Sequence, residues 1–505
     1  MQQRPVDVII LGGGTAGWTA AAALSSLLPA SRCRIRLVES EEIGIVGVGE
    51  ATLPHLKNFN DAIGIDEVEM MKASQATIKL GIEFVGWGDR RSRYIHPFGI
   101  HGPPGSEHAF HHQWVRAHHA GYPHAFDEFS FAVMASRLDR FDFPARDPRS
   151  IASTYAYAYH FDAGLYASYL RDFAERRGVT RTEGKVRAVH RDEASGDVAS
   201  LELESGERIA GDFFIDCSGF RSLILGDALG VAWEDWSDWL LCDRAFAVPS
   251  TRVGALAPYT RSTAGPAGWR WRIPLQHRTG NGHVFVSSLI GEDEAASQLL
   301  AGLDGDALGE PRLLRFKAGR RRESWHRNCL ALGLAGGFLE PLESTSIYLV
   351  QIAIMHLLPL FPEARVDPRL AAEFNRRIDL EYQSIRDFLI LHYRLNRRDD
   401  GELWRHCRTM AVPDTLRAKM ELFARGGYVE QYRDGLFTPP SWLAVYIGQG
   451  LVPDRPHPLA EAGEIGPLVA KLDALRDEVR ERAEELPLHS RFLERYAPAP
   501  AVALA

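Results

Sequence analysis

The pattern of apolar and polar positions at the start of the chain predicts a strand, a tight turn and a helix. Residues 6–11 form a short run that is apolar apart from Asp7, residues 12–14 are all glycine, and residues 19–28 are rich in alanine and leucine. Short apolar runs bounded by turn residues are typical of buried strands. Residues 34–38 form a second strand, which leads into Glu39. The chain therefore opens with α/β structure.

Residues 268–274, Gly-Trp-Arg-Trp-Arg-Ile-Pro, alternate aromatic with charged side chains. If the segment is extended, Trp269 and Trp271 point to one face, while Arg270 and Arg272 point to the other. From the residues alone, this pattern is typical of a half-buried strand. The same two tryptophans would also form a rigid aromatic wall.

The last third of the chain is predicted to be mostly helical. Apolar residues recur at steps of three and four in residues 370–389 and again in 468–483. Between these stretches, residues 440–450 combine proline, serine, glycine and aromatic residues, so we predict a loop anchored by Trp442. We predict a domain of residues 1–367 and a helical subdomain of residues 368–505.

Composition excludes several classes of protein. The 505 residues are 45% hydrophobic and 25% charged, as in soluble globular proteins, and no apolar run is long enough for a membrane span. The N-terminus has no secretory pattern, so the cytoplasm is the expected location. A net charge of −8 without a basic tract argues against nucleic-acid binding. The five cysteines lie far apart, which predicts buried thiols rather than disulfides or a thiolate metal site.

The glycine turn carries a dinucleotide-binding fingerprint. Gly12, Gly14 and Gly17 satisfy G-x-G-x-x-G between the first strand and the first helix. The first glycine permits the turn, the second lets a diphosphate approach the backbone, and the third lets the helix pack on the strand. Thr15 and Ala16 lie at the helix N-terminus, where backbone amides and the helix dipole favour an anion.

Glu39 and three later segments extend this predicted cofactor site. A carboxylate at the end of the second strand suits a ribose 2′-hydroxyl. Residues 47–52, 212–219 and 330–337 are further glycine-containing segments that lead into turns. If these three segments all lie at the same site as the first glycine turn, the site suits a long, extended ligand, so we predict FAD rather than NAD. A glycine turn in a cofactor-free α/β protein is the alternative.

Four motifs, taken in order, resemble those of the flavin-dependent halogenases usually called tryptophan halogenases. They are Gly12–Gly17, residues 76–81 (Ala-Thr-Ile-Lys-Leu-Gly), residues 268–274 and residues 338–345 (Phe-Leu-Glu-Pro-Leu-Glu-Ser-Thr). The resemblance covers nearly the whole chain, and the pairing of Trp-x-Trp-x-Ile-Pro with the glycine fingerprint is specific to that family. It implies an α/β fold with an FAD-binding Rossmann-like domain of the flavin monooxygenase type, an interleaved substrate region and a mostly helical C-terminal subdomain.

The resemblance implies two catalytic residues, Lys79 and Glu343. From the residues alone, Lys79 is a snorkelling lysine on a half-buried strand, and Glu343 is a carboxylate at the start of a helix over residues 347–358. In the family, the matching lysine holds hypohalous acid, by a hydrogen bond or as a haloamine, beside the aromatic substrate. The matching glutamate would stabilise the cationic arene intermediate and accept its ring proton.

The resemblance also implies the cofactor and a halide site. Reduced FAD (FADH2) reacts with oxygen to a flavin hydroperoxide, which chloride or bromide attacks to give hypohalous acid. The halide would lie on the backbone amides of Thr345 and Ser346. Better-known members have glycine at the position of Ser346, so we expect an altered halide pocket here. Further FAD contacts are predicted at Ala51, Val186, Leu334 and Ile347.

Other residues are assigned to the substrate and to separation of the substrate from the flavin. Trp269 and Trp271 would form a partition that only a small oxidant passes. Phe98, His101 and Trp442 are predicted substrate contacts. Residues 94–124 hold eight of the nineteen histidines. The spacing of His108 with His111 and His112 would suit a metal on a helix, but no carboxylate or cysteine is patterned with them, so we predict no metal.

We predict an FADH2-dependent halogenase that acts on an indole or another electron-rich arene. Free tryptophan is not the expected substrate, because the tyrosine pair and the glutamate followed by Phe-Trp that hold it in the family do not stand out here; a tryptophan side chain in a peptide stays open. A separate NADH-dependent flavin reductase is the expected partner. A homodimer is expected only because dimers are the commonest oligomers of soluble proteins. The alternatives are a flavin monooxygenase that hydroxylates its substrate directly and a catalytically silent FAD-binding protein.

Overall fold

The computed structural model describes residues 4–42, 49–106, 109–430 and 435–498. Residues 47 and 48 of the second predicted glycine segment, and His108 of the considered metal site, lie outside these ranges. The chain forms two compact units of three segments each: unit 1 is Met1–Ala76, Phe161–Leu240 and Phe316–Tyr382, and unit 2 is Thr77–His160, Leu241–Arg315 and Gln383–Ala505. The predicted boundary between residues 367 and 368 stays a prediction.

The strands are short, and most belong to one sheet in each unit. In chain order they are β1 (Val6–Leu11), β2 (Cys33–Glu39), β3 (Gly49–Ala51), β4 (Thr77–Lys79), β5 (Gly81–Val85), β6 (Arg93–Pro97), β7 (Ala158–Asp162), β8 (Thr180–Glu183), β9 (Val186–Arg191), β10 (Val198–Leu203), β11 (Arg208–Ala210), β12 (Phe213–Asp216), β13 (Trp233–Asp235), β14 (Arg244–Ser250), β15 (Thr260–Gly265), β16 (Gly268–Pro274), β17 (Thr279–Phe285), β18 (Arg312–Arg315), β19 (Gly319–Arg321), β20 (Trp325–His326), β21 (Cys329–Ala331) and β22 (Gly337–Phe338).

The helices are concentrated at the start of unit 1 and in the C-terminal third. In chain order they are α1 (Thr15–Leu27), α2 (His55–Ile63), α3 (Glu67–Ala73), α4 (Phe110–His119), α5 (Phe131–Arg137), α6 (Ala163–Glu175), α7 (Glu292–Ala301), α8 (Thr345–Leu357), α9 (Pro368–Arg394), α10 (Glu402–Thr409), α11 (Asp414–Gly426), α12 (Pro439–Gly448), α13 (Ile465–Glu484) and α14 (His489–Tyr496). None of the helices in the described ranges combines the length and apolarity that a membrane crossing requires.

The main sheet of unit 1 is a doubly wound, mostly parallel sheet. Its order is β20-β21-β12-β1-β2-β8, and every neighbouring pair is parallel except β20 with β21. The central strand β1 is buried along its apolar residues because helices cover such sheets. Its carboxyl end leads directly into the glycine turn, which is where doubly wound sheets bind their ligands.

The main sheet of unit 2 is mixed and carries the Trp-Arg-Trp-Arg strand in its middle. Its order is β18-β14-β17-β16-β15-β5-β6, and only the β15–β5 pair is parallel. On β16, Trp269, Trp271 and Ile273 are buried, whereas Arg270 and Arg272 are partly exposed. The predicted alternation of faces is therefore confirmed.

The predicted loop at residues 440–450 is wrong. Residues 439–448 form helix α12, in which Pro439 and Pro440 occupy the first helical positions. Proline is favoured there because the first amides of a helix have no intrahelical acceptor. Trp442 is 1% exposed, so it belongs to a packed helix rather than to a surface loop.

Candidate functional site

The glycine turn after β1 has the geometry that a bound diphosphate needs. Gly12 has a φ of +111°, and a Cβ added there would lie 2.3 Å from the carbonyl oxygen of Cys217. A Cβ at Gly17 would lie 1.8 Å from the carbonyl oxygen of Gly12. At Gly14, which precedes α1 without a side-chain cap, an added Cβ meets no atom within 4 Å. The turn is thus closed by backbone atoms of Gly12 and Cys217, while open space lies at Gly14 before the helix N-terminus, and these residues fit a dinucleotide.

Glu39 lies against this turn. Its Oε1 accepts a hydrogen bond of 2.6 Å from Arg181 Nε, and its Oε2 accepts one of 3.4 Å from Trp18 Nε1. A Cβ at Gly13 would lie 1.4 Å from Glu39 Oε2. Arg181 and Trp18 hold the carboxylate in place, and an ionised carboxylate keeps acceptor capacity beyond these two bonds. A ribose contact by Glu39 stays a prediction.

Other predicted flavin contacts lie on neighbouring elements of unit 1. Leu334 sits in the turn Gly333–Ala335, and a Cβ at Gly333 would be 2.9 Å from Ala16 Cβ at the start of α1. Ile347 lies in the first turn of α8, which packs on α1. Val186 packs against the buried core that contains Val38 and Leu11, and Ala51 is buried on β3.

Glu343 occupies a strained backbone position just before α8. Its φ is +65° and that of Ser344 is +61°, a left-handed conformation that non-glycine residues adopt at a cost of about 1 kcal/mol or more each. The Glu343 side chain is 1% exposed. Ser344 provides no side-chain cap for α8, and the halide site at buried Thr345 and half-buried Ser346, in the first turn of this helix, stays a prediction.

Lys79 lies at the end of β4 in unit 2 and is fully buried. Its exposed fraction is 0%, and its Nζ is 5.0 Å from the centroid of the Phe98 ring. Backbone bonds fix this neighbour, because the Phe98 amide donates to the Leu80 carbonyl at 2.8 Å and the Phe98 carbonyl accepts from the Ala156 amide at 2.7 Å. The structure thus brings Lys79 together with one predicted substrate residue.

His101 is also buried, and its ring stacks on Phe126 with centroids 4.2 Å apart. Neither ring nitrogen finds a hydrogen-bond partner within the described residues. Burial, together with the smaller effect of nearby His96, lowers the pKa of His101 to about 3. A buried polar group without a partner costs free energy, which is consistent with a group that awaits a ligand.

Trp442 contacts a different set of residues from Phe98 and His101. Its ring packs on Phe388 with centroids 5.1 Å apart, and Lys419 Nζ lies 5.0 Å from its centroid. Among the described residues, Trp442 lines a cavity of about 210 Å³ with Lys419, Leu422, Tyr428, Val429, Glu430 and Tyr446. Phe98 and His101 are not among these residues, so a common substrate role for the three stays a prediction.

The two tryptophans of β16 belong to an aromatic cluster. Their ring centroids are 6.1 Å apart, and Trp87 lies 6.0 Å from Trp269 and 5.3 Å from Trp404. A Cβ at Gly282 on β17 would overlap the Trp271 ring at 2.0 Å, so this glycine is required for the ring to lie flat across the neighbouring strand. Their role as a partition stays a prediction.

Two histidines of α4 form ring contacts with each other, and one of them also with His457. His111 and His112 have centroids 3.8 Å apart, and His457 lies 5.0 Å from His112. In the described ranges, no group of three or more histidine, cysteine, aspartate or glutamate side chains could hold a metal ion.

Comparison with known proteins decides the family. The sequence model of the tryptophan halogenase family matches residues 7–464. The chain belongs to the tryptophan halogenase family. This halogenase is 34% identical to tryptophan 6-halogenase SttH of Streptomyces toxytricini, with 96% of this chain and 97% of that protein covered.

Solved structures agree with this assignment. A flavin-dependent halogenase from Xanthomonas campestris is 48% identical, with a TM-score of 0.94 over 99% of this chain and 100% of that one. BrvH, a flavin-dependent halogenase from Brevundimonas sp. BAL3, is 43% identical, with a TM-score of 0.94 over 98% and 100% of the two chains. The predicted family, the α/β fold of FAD-binding type and the assignment as an enzyme are confirmed. Membership of a flavin-dependent family agrees with the fit of the glycine turn to a dinucleotide.

Proposed function

We propose that this halogenase uses FADH2, oxygen and chloride or bromide to halogenate an indole or another electron-rich arene, with Lys79 as the residue that delivers the halogen. The observation that carries the proposal is the fully buried Lys79 ammonium, 5.0 Å from the Phe98 ring centroid, in a chain of the tryptophan halogenase family. Reduced flavin and oxygen supply the oxidising equivalent that turns halide into hypohalous acid. Residues of this chain would bind the halide, deliver the halogen and remove the ring proton.

Lys79 is suited to hold an electrophilic halogen species. Its ammonium is a compact donor on a flexible stem, and burial excludes water that would compete for its hydrogen bonds. Phe98 beside it offers an aromatic face on which a planar substrate can stack, since ring pairs favour offset or edge contacts. Lys79 would donate to the oxygen of hypohalous acid, or as the neutral amine it would displace water from hypohalous acid to form a haloamine, and so direct the halogen to one ring position.

Glu343 would stabilise the cationic ring that forms when the halogen adds, and it would then accept the ring proton. A carboxylate in a buried position interacts more strongly with developing positive charge than one in water. Its left-handed backbone, with a φ of +65°, supports this role because strained residues cluster at functional sites.

The first turn of α8 is proposed to hold the halide. The amides of Thr345 and Ser346 begin a 13-residue helix that has no side-chain N-cap, and such helix ends attract anions. A separate NADH-dependent flavin reductase is proposed to supply FADH2. The sequence carries a single G-x-G-x-x-G fingerprint, at Gly12, Gly14 and Gly17, and this one is assigned to FAD, which leaves no second fingerprint for NADH.

One incubation tests the proposal and its alternatives. The protein is mixed with FAD, a flavin reductase, NADH and bromide, and presented with indole, substituted indoles, a tryptophan-containing peptide and free tryptophan, the substrate in the name of the Streptomyces relative. Brominated products of the indoles, identified by mass, are expected. Hydroxylated products would instead support a monooxygenase, and flavin binding without any product would support a silent FAD-binding protein. The comparisons favour neither of these.

A further inference from the structure

The strand that carries Lys79 is joined side by side to β7. In the β4–β7 pair, Thr77 faces His160 and Lys79 faces Ala158. Thr77 and Lys79 are two residues apart, so their side chains leave the same face of β4, and His160 is the diagonal neighbour of Lys79. The small Ala158 leaves room for the Lys79 side chain, whereas His160 is a large polar group on the same buried face.

His160 is the centre of a chain of side-chain hydrogen bonds. Thr77 Oγ1 donates to the carbonyl oxygen of Pro274 at 2.7 Å, so its oxygen accepts from His160 Nδ1 at 3.1 Å. The other ring nitrogen, Nε2, then accepts from the Thr260 hydroxyl at 2.9 Å. This directionality assigns the proton of a neutral imidazole to Nδ1. Pro274 ends the Trp-x-Trp-x-Ile-Pro motif, which is thereby bonded to the Lys79 strand.

Burial and charge keep His160 neutral. The side chain is 0% exposed, and burial lowers its pKa well below the usual range, with further lowering by Lys79 and then by His489. A second cation beside buried Lys79 would be costly, since like charges repel strongly where water is excluded. A neutral histidine can tie the strand down without adding that charge.

A second buried histidine holds the next residue of the strand. His489, the first residue of α14, donates from Nδ1 to the Leu256 carbonyl at 2.8 Å. Its Nε2 is therefore left to accept the Ile78 amide at 3.1 Å. Thr77 and Ile78, the two residues that precede Lys79, are thus both held by neutral imidazoles.

We propose that His160, bonded between Thr77 and Thr260, is a positioning residue that fixes strand β4 and through it the Nζ of Lys79. The proposal rests on the proposed halogen transfer by Lys79. A displacement of about 1 Å in a reacting group can cost about 100-fold in rate. Loss of this anchor should therefore let hypohalous acid escape rather than slow its formation.

Two matched pairs of variants test the proposal. His160→Asn places an amide donor where Nδ1 donates to Thr77, whereas His160→Leu removes both hydrogen bonds. Thr77→Ser keeps the hydroxyl, whereas Thr77→Val removes it. We measure flavin oxidised, brominated indole formed, free hypobromous acid trapped by monochlorodimedone, and the KM for indole. The control is His283→Leu. His283 is also buried and bonded to a backbone carbonyl, but it lies on β17 and pairs with Arg270 of β16.

His160→Leu and Thr77→Val should each form about 10- to 100-fold less brominated product per flavin oxidised, with more trapped hypobromous acid and little change in KM. His160→Asn and Thr77→Ser should recover most of the product, and His283→Leu should lower the melting temperature without changing the yield per flavin.

Wild-type yield in His160→Leu, or equal losses in His160→Leu and His283→Leu, would overturn the positioning role. If His160→Leu does not fold, equal yields in Thr77→Val and Thr77→Ser would overturn it. A wild-type protein that forms neither product nor trapped oxidant would overturn the proposed function, and the positioning role with it.

Discussion

The two units place chemistry by different means. In unit 1 the candidate cofactor and halide sites are made by backbone: a glycine turn before α1 and uncapped amides at the start of α8. In unit 2 the candidate site is made by side chains around Lys79. Within the described residues, all the buried histidines belong to unit 2, namely His96, His101, His111, His160, His283, His392 and His489. The candidate cofactor site of unit 1 depends on glycines that lack a Cβ atom, whereas the candidate site of unit 2 depends on the protonation states of its side chains.

A methyl group at Gly17 should disrupt the glycine turn of unit 1 and weaken FAD binding. In Gly17→Ala the new Cβ would lie 1.8 Å from the Gly12 carbonyl oxygen, so the turn must open. FAD affinity should fall by about 100-fold or more, corresponding to about 3 kcal/mol, as measured by flavin titration. The control is Gly164→Ala in α6, where an added Cβ has only one neighbour, at 3.4 Å. Equal FAD affinity in the two variants would contradict the backbone account.

Glu343→Gln keeps the side-chain volume but removes the charge. We expect halogenated product per flavin oxidised to fall by about 100- to 1,000-fold, the usual cost of removing an electrostatic stabiliser of a transition state. Flavin oxidation should continue at the wild-type rate, and the measurement is a paired product and NADH assay. A variant with wild-type product yield would remove Glu343 from the mechanism.

Acid should weaken unit 2 through its neutral histidines. Burial lowers the pKa of His489 to about 4, whereas an unfolded histidine titrates near 6.5. The neutral form therefore contributes stability above pH 6.5, and this contribution is lost as the pH falls toward 4. The loss from His489 alone is about 2 kcal/mol at pH 5.

Urea unfolding at pH 7.5, 6 and 5 measures this dependence. His489→Gln should reduce it by the share of His489, because the glutamine amide oxygen can accept the Ile78 amide without titrating. A wild-type free energy of unfolding that does not change between pH 7.5 and 5 would contradict neutral burial.

The difference between the units also explains what the sequence could predict. Gly12, Gly14 and Gly17 are recognisable because a turn that excludes Cβ atoms requires glycine at fixed spacing. The alternating faces of β16 follow from the two-residue period of a strand. In contrast, His160 and His489 reach the Lys79 strand from 83 and 411 positions away, and no local pattern encodes such pairings. The error at residues 440–450 arose because Pro440 was interpreted as a loop signal, although Pro439 and Pro440 both fit the first turn of a helix.

The smallest expected effect concerns the halide at α8. Ser346→Gly removes a side chain next to the proposed anion site, so the ratio of chlorinated to brominated indole should shift a few-fold, or less than about 1 kcal/mol. The measurement is a competition with both halides present, analysed by mass. An unchanged ratio would show that the Ser346 side chain does not shape the halide site.

The most direct test of the central claim is the yield of halogenated indole per flavin oxidised by Lys79→Ala, with Lys79→Met as a variant that keeps most of the side-chain volume. If the buried ammonium delivers the halogen, both variants should lose about 1,000-fold or more of the product, while flavin oxidation proceeds and releases peroxide or free hypohalous acid. Halogenation by either variant at near wild-type yield would contradict the account.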